Sequence, residues 1–222
     1  LWWDADLRPL GASASWSTPV GELDRIGLAA GWFAGQHLYD DDSRIAAVQG
    51  TWRIHEGATT SGDVALGYFV FDDLEQLARN GLTRTNRRVG TRLVSDYRLA
   101  DLQLGLRHLF GDVPFETRLD LVRNFGADDQ RDAARFSVVV GDARVPRGWE
   151  FGYATQRIQR DAVMAAFNED DWWFHSFARG SMPWVSYGID ATWSVRVAGF
   201  FERRDDQPDR VDRLLIDLRA RF

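Results

Sequence analysis

Hydrophobic and polar positions alternate along most of this chain. In its last stretch, VDRLLIDLRARF, Leu214, Ile216, Leu218, Ala220 and Phe222 fall on one parity, and Arg213, Asp217, Arg219 and Arg221 on the other. A period of two puts one set on each face of a β-strand. Segments of this kind recur at 8–17, 23–34, 44–55, 62–71, 93–110, 113–124, 133–141, 148–158, 182–189, 191–203 and 211–222, with turn residues between them. Only RDAVMAAFNEDD and DDLEQLARN carry a helical pattern. The chain therefore reads as all-β, a sandwich or a barrel.

The connections favour the barrel. Short ones (PVGEL, EGATTSG, GDVP, DARVPR, GID) alternate with longer ones (GQHLYDDDS, DDLEQLARNGLTRTNRRVG, NFGADDQRD, the 159–181 segment, ERRDDQPDR). An up-and-down barrel puts alternate connections at opposite ends, and outer-membrane barrels have short periplasmic turns and long external loops. Aromatics gather at the strand ends: Trp16, Trp52, Phe110, Phe115, Trp149, Trp193 and Phe222 at the short-turn end, and Trp32, Tyr68, Phe71 and Phe201 at the other. Two aromatic girdles around an apolar band are expected at two lipid–water interfaces.

The faces sort accordingly. Ile26, Leu28, Val48, Leu102, Leu104, Leu106, Phe136, Val138, Val140, Phe151, Tyr153, Val195 and Val197 form the expected lipid side. Arg25, Arg53, Asp101, Arg107, Arg118, Asp120, Arg196, Arg213, Asp217 and Arg219 form the expected pore lining, and their arginines predict a bias toward anions. Strand 62–71 is ambiguous, with apolar residues on both parities. Loop 159–181 has two readings. It folds inward with Met164 and Phe167 on the wall, or it lies as a helix on the outer rim.

Composition narrows the picture. No run of about 18 apolar residues exists for a transmembrane helix, a filter that membrane strands pass. There is no cysteine for a disulfide or a thiolate metal site, and every basic residue other than histidine is arginine. A net charge of −6 argues against a nucleic-acid partner. The acidic clusters (Asp40–Asp42, Asp72–Asp73, Asp128–Asp129, Glu169–Asp171, Asp205–Asp206) fall in or beside the long connections, as solvated loops or as oxygen ligands for divalent cations. No phosphate loop, nucleophile elbow or metal-spaced histidine cluster is present. His175 beside Ser176 is the one candidate nucleophile pair, but neighbours on a strand point to opposite faces. Neither an enzyme nor a cofactor is expected.

The stretch from VPFETRLDLVRNFGADD through GWEFGYATQRIQRDAVMAAFNEDDW to the C-terminus resembles a porin family of Gram-negative outer membranes. The resemblance rests on a Pro-led strand ending in Asn (Pro114, Asn124), the W-E-F-x-Y strand, the D-A-V segment (Asp161, Ala162, Val163) and the acidic pair after it. LRPLGASASW and AAVQGTW match more loosely. The resemblance implies a general diffusion barrel in the cell outer membrane, in contact with membrane lipid, lipopolysaccharide and small hydrophilic solutes, with oligomerisation left open. Leu214, Ile216, Leu218 and the terminal Phe222 look like the signal read by the barrel-insertion machinery. Eleven strands is an odd count and places Leu1 outside the cell, so residues 1–222 are expected to be the C-terminal part of a larger even-stranded transmembrane barrel, of about 16 strands. A non-channel structural or adhesion barrel and a soluble β-sheet ligand-binding protein stay open as alternatives.

Overall fold

A computed structural model describes residues 10–34, 43–168 and 171–221. The chain is all-β. Eleven strands form one antiparallel sheet in which each strand pairs with its neighbours along the chain: β1 (Leu10–Val20), β2 (Asp24–Ala34), β3 (Arg44–Ile54), β4 (Thr60–Asp72), β7 (Tyr97–Phe110), β8 (Val113–Asn124), β9 (Asp132–Gly141), β10 (Trp149–Ile158), β11 (Ala178–Gly188), β12 (Trp193–Arg204) and β13 (Arg210–Ala220). Within the β4–β7 connection lie a short helix, α1 (Glu75–Arg79), and a small hairpin of β5 (Arg88–Val89) and β6 (Arg92–Leu93). The large sheet is open, with β1 and β13 as its edges.

All eleven sequence-predicted strands are present. The main shifts are at β7, which starts at Tyr97 rather than residue 93, and at β11, which starts at Ala178 rather than residue 182. Segregation of the connections is weaker than the sequence indicated. The connections after β8 and after β9 are each seven residues, so strict alternation fails there. One end still carries the two longest, 73–96 and 159–177, and is called the long-loop end below.

One face of the sheet is apolar and open. Trp16, Leu28, Gly50, Leu66, Leu102 and Leu121 follow one another in register across six strands. Phe151, Val185, Val197 and Ile216 do so across β10–β13. These are not core residues: Leu28 is 53%, Leu66 60% and Ile216 65% exposed. A monomeric soluble protein rarely exposes an apolar patch beyond a few hundred Å², and this one runs the width of the sheet.

The opposite, inner face holds the core. Ile45, Phe69, Phe71, Tyr97, Leu99, Val122, Ala133 and Ile158 all sit near the long-loop end of their strands and are buried under Ala162, Val163, Met164, Ala166 and Phe167. This accounts for the ambiguity of strand 62–71. Leu66 and Tyr68 belong to the exposed face, while Phe69 and Phe71 carry the loop. It also corrects the place of Phe71, which is 5% exposed with its ring 5.7 Å from that of Phe167 and is no part of a girdle.

Residues 160–168 do not form the helix their spacing predicted. Residues 161–168 form turns that are buried throughout. Their backbone groups bond elsewhere: the Asn86 side chain donates to the carbonyls of Arg160 and Val163 and accepts from the Ala165 N–H. The second pattern, DDLEQLARN, does form a helix as α1.

Candidate functional site

On the inner face, polar side chains from β2 through β13 converge. All ten sequence-assigned lining residues project from it, because each shares the parity of the covered core positions on its strand. The structure separates them into two groups.

The first group lies toward the short-turn end of β2–β8. Arg53, Glu56, Asp63, Gln103, Arg107 and Arg118 line a hollow of about 470 Å³ there. Glu56, in the β3–β4 turn, accepts from Arg25 at 3.3 Å and from Arg53 at 3.0 Å. Those hydrogen bonds, Arg53 first, hold its carboxyl below the usual range. Arg107 pairs with Glu116 at 3.3 Å. All of these groups are substantially exposed, so the pairs add little stability. Their effect is to set the field of a wet surface.

The second group lies on β12 and β13. Arg196 stands opposite Asp217, and Arg219 opposite Ser194. The Arg196 guanidinium sits 5.0 Å from the centre of the Trp184 ring, and that of Arg213 sits 4.2 Å from Phe200. Such contacts stabilise a cation at a partly dehydrated surface. Asp101 and Asp120 lie on β7 and β8, closer to the long-loop end than the first group. Asp101 is buried and accepts from Gln103 at 2.6 Å. Asp120 stands opposite both Gln103 and Arg135. Arg118, on β8, is remote in the sheet from Arg196 on β12, so the arginines do not form one cluster.

Four further carboxylates join Asp101, Asp120 and Asp217 on the inner face. Asp63, Glu116, Glu150 and Glu202 all point inward, since they lie in register with Arg53, Arg107, Ser186 and Gly180. The inner face is therefore close to charge balance rather than arginine-dominated.

Loop 159–177 crosses this face, held by a polar lock that sequence reasoning missed. The Asp161 carboxylate is fully buried and accepts from the Arg87 N–H at 3.0 Å, Arg87 Nε at 2.5 Å, Ser95 Oγ at 3.1 Å and Tyr97 OH at 3.3 Å. The bond to Asp161 raises the pKa of Arg87. Asn124, also buried, donates to the carbonyls of Asp96 and Asp161 and accepts from the N–H groups of Arg98 and Gly126. The far end of the loop is pinned by Glu202, which accepts the N–H groups of Trp173 and Phe174. Trp172 is buried beside Phe200. The lock's partners stand as much as 74 residues apart, a separation at which no local pattern shows. The one trace was the presence of Asn124 and Asp161 in the motifs that carry the porin resemblance.

Elsewhere the chemistry is sparse. Ser176 Oγ is bonded to Thr85 Oγ1 and donates to the Arg160 carbonyl, while His175 lies against Arg84. The two do not form a nucleophile–base pair. Among the described residues, no group of three His, Asp or Glu is placed to hold a metal ion. Asp73, Asp129, Asp205 and Asp206 pair with Arg44, Arg87, Arg157 and Arg204. Asp40–Asp42, Glu169, Asp170 and Phe222 lie outside the described residues. No helix among the described residues is long and apolar enough to cross a membrane, which says nothing about crossing by strands. No family model, curated protein or solved structure matches this chain.

Proposed function

We propose that the sheet is part of a transmembrane β-barrel of the outer-membrane porin type, through which small hydrophilic solutes or ions diffuse passively. The observation that carries this reading is the contiguous apolar face, open across all eleven strands, backed by a polar face with inward-folded loops. A bilayer would cover the first and water would fill the second. Trp16, Trp52, Phe110, Trp149 and Trp193 on the apolar face toward the short-turn end, and Trp32, Tyr68 and Phe201 toward the long-loop end, would sit at the two interfaces. Closure requires that the edges β1 and β13 be joined through further strands or to each other, since a spanning sheet tolerates no open edge.

In this reading the hollow beside Arg53, Asp63 and Arg118 and the Arg196–Asp217 surface line the water path. Loop 159–177 narrows it near the long-loop end. Near charge balance implies weak ion selectivity rather than strong anion selection. In planar bilayers the chain is expected to give stepwise conductance. In a salt gradient, Arg196→Glu should move the reversal potential toward cations. Absence of conductance from correctly inserted protein would leave a non-channel barrel, and an unmoved reversal potential would take Arg196 off the ion path.

A further inference from the structure

The apolar face ends, at the long-loop end of β10–β13, in a row of arginines. Arg157 stands opposite Arg179, Arg179 opposite Arg203, and Arg203 opposite Arg210. They share the parity of Phe151, Val185, Val197 and Ile216, so the row lies on the outward surface rather than in the water path. Four guanidiniums on adjacent strands about 4.8 Å apart repel one another. Two carboxylates answer them. Asp205 lies 3.6 Å from Arg157 and 3.9 Å from Arg179, and Asp212 pairs with Arg210 at 2.6 Å. Two positive charges remain uncompensated.

The imbalance is greatest here, although Arg98 also faces outward at this end of the sheet. At the same end of the sheet, Arg44 pairs with Asp73, and Arg123 pairs with Asp132 at 2.7 Å. One residue pair below the row toward mid-sheet come Thr155, Ser181 and Phe201, and below them the purely apolar band. Tyr153, Arg179, Ser181, Phe201, Arg203 and Arg210 line a shallow outward groove at this level. A cationic row with hydroxyls at the upper limit of an apolar surface matches a molecule with phosphate above and acyl chains below.

We infer that the Arg157–Arg179–Arg203–Arg210 row is a docking site for the phosphorylated headgroup of a membrane glycolipid, whose acyl chains lie on the apolar band beneath it. The inference rests on the membrane reading. It goes beyond that reading by assigning one sector of the perimeter to one headgroup chemistry. Guanidinium forks suit phosphate oxygens, with charge-assisted bonds roughly twice as strong as neutral ones. The row spans three inter-strand gaps, roughly 14 Å, which lets two phosphates on one disaccharide bind together.

The test uses the full chain folded in zwitterionic micelles, with bound lipid counted by native mass spectrometry. Three probes are titrated: a bisphosphorylated glucosamine-disaccharide glycolipid, the same lipid stripped of phosphate, and inorganic phosphate. The expected result is about tenfold tighter binding of the phosphorylated lipid, on the order of two retained charge-assisted contacts. The double variant Arg179→Gln/Arg203→Gln should lose most of that preference, and Arg144→Gln, in the β9–β10 turn, should keep it. Equal binding of both lipids by the unaltered chain overturns the inference, whether or not the variant folds. So does an unchanged preference in the double variant, or competition by inorganic phosphate at equal concentration. Vesicle insertion is scored on the same preparations. An inserted chain without phosphate preference rejects this site alone, whereas a chain that stays in the aqueous phase rejects the membrane reading with it.

Discussion

Asp161→Ala is expected to destabilise the loop-bearing half of the molecule by about 3–5 kcal/mol, the usual cost of breaking a buried ion pair from one side. The carboxylate accepts four hydrogen bonds and has no exposure. Its removal strands the Tyr97 hydroxyl in the core and leaves Arg87 only its contact with Asp129. Asp161→Asn keeps the shape and one acceptor and should cost less. The loss should be local, because the strand ladder does not depend on Asp161. Limited proteolysis should cut 159–177 in the Ala variant while the sheet persists by circular dichroism. An Ala variant with loop protection equal to the parent would remove the lock from the account.

The second large effect concerns the apolar face. Leu104→Arg and Val197→Arg should each cost roughly 2–4 kcal/mol when the protein is folded into vesicles, the penalty for arginine facing hydrocarbon at mid-depth in a barrel. Gln49→Arg, on the inner face beside the hollow, should be tolerated. Leu104 is already 37% exposed. If water rather than lipid met that face, its replacement by arginine would be an ordinary surface change of about ±0.5 kcal/mol. Urea titration in vesicles separates the cases, since a tolerated Leu104→Arg contradicts a lipid-facing position.

The strands were legible in the sequence because a period of two is a local signal, and each is long enough to show it several times. The two faces were legible for the same reason. Strand β4 was obscure because its residues near the long-loop end are apolar on both sides: Tyr68 is open while Phe69 and Phe71 bury the loop. Residues 160–168 mimicked a helix because Val163, Met164 and Phe167 recur at helical spacing. The structure spends that apolar content on a turn-rich segment whose backbone groups are bonded by Asn86. The inner-face residues were legible one at a time, by parity. Their division into two groups was not, because it depends on how many strands separate β8 from β12. The inward carboxylates Asp63, Glu116, Glu150 and Glu202 are readable by the same parity, and counting them lowers the expected anion bias.

The chain has no cysteine, so single nitroxide labels can be placed on it without background. Strand β7 offers the clearest alternation, with Leu102, Leu104 and Leu106 on the apolar face and Gln103 and Arg107 lining the hollow. Each is replaced by Cys, labelled and folded into vesicles, and its collision rates with oxygen and with a water-soluble nickel chelate are measured. The membrane account predicts high oxygen and low nickel access at 102, 104 and 106, and the reverse at 103 and 107. Nickel access at 102, 104 and 106 equal to that at 103 and 107 would contradict it.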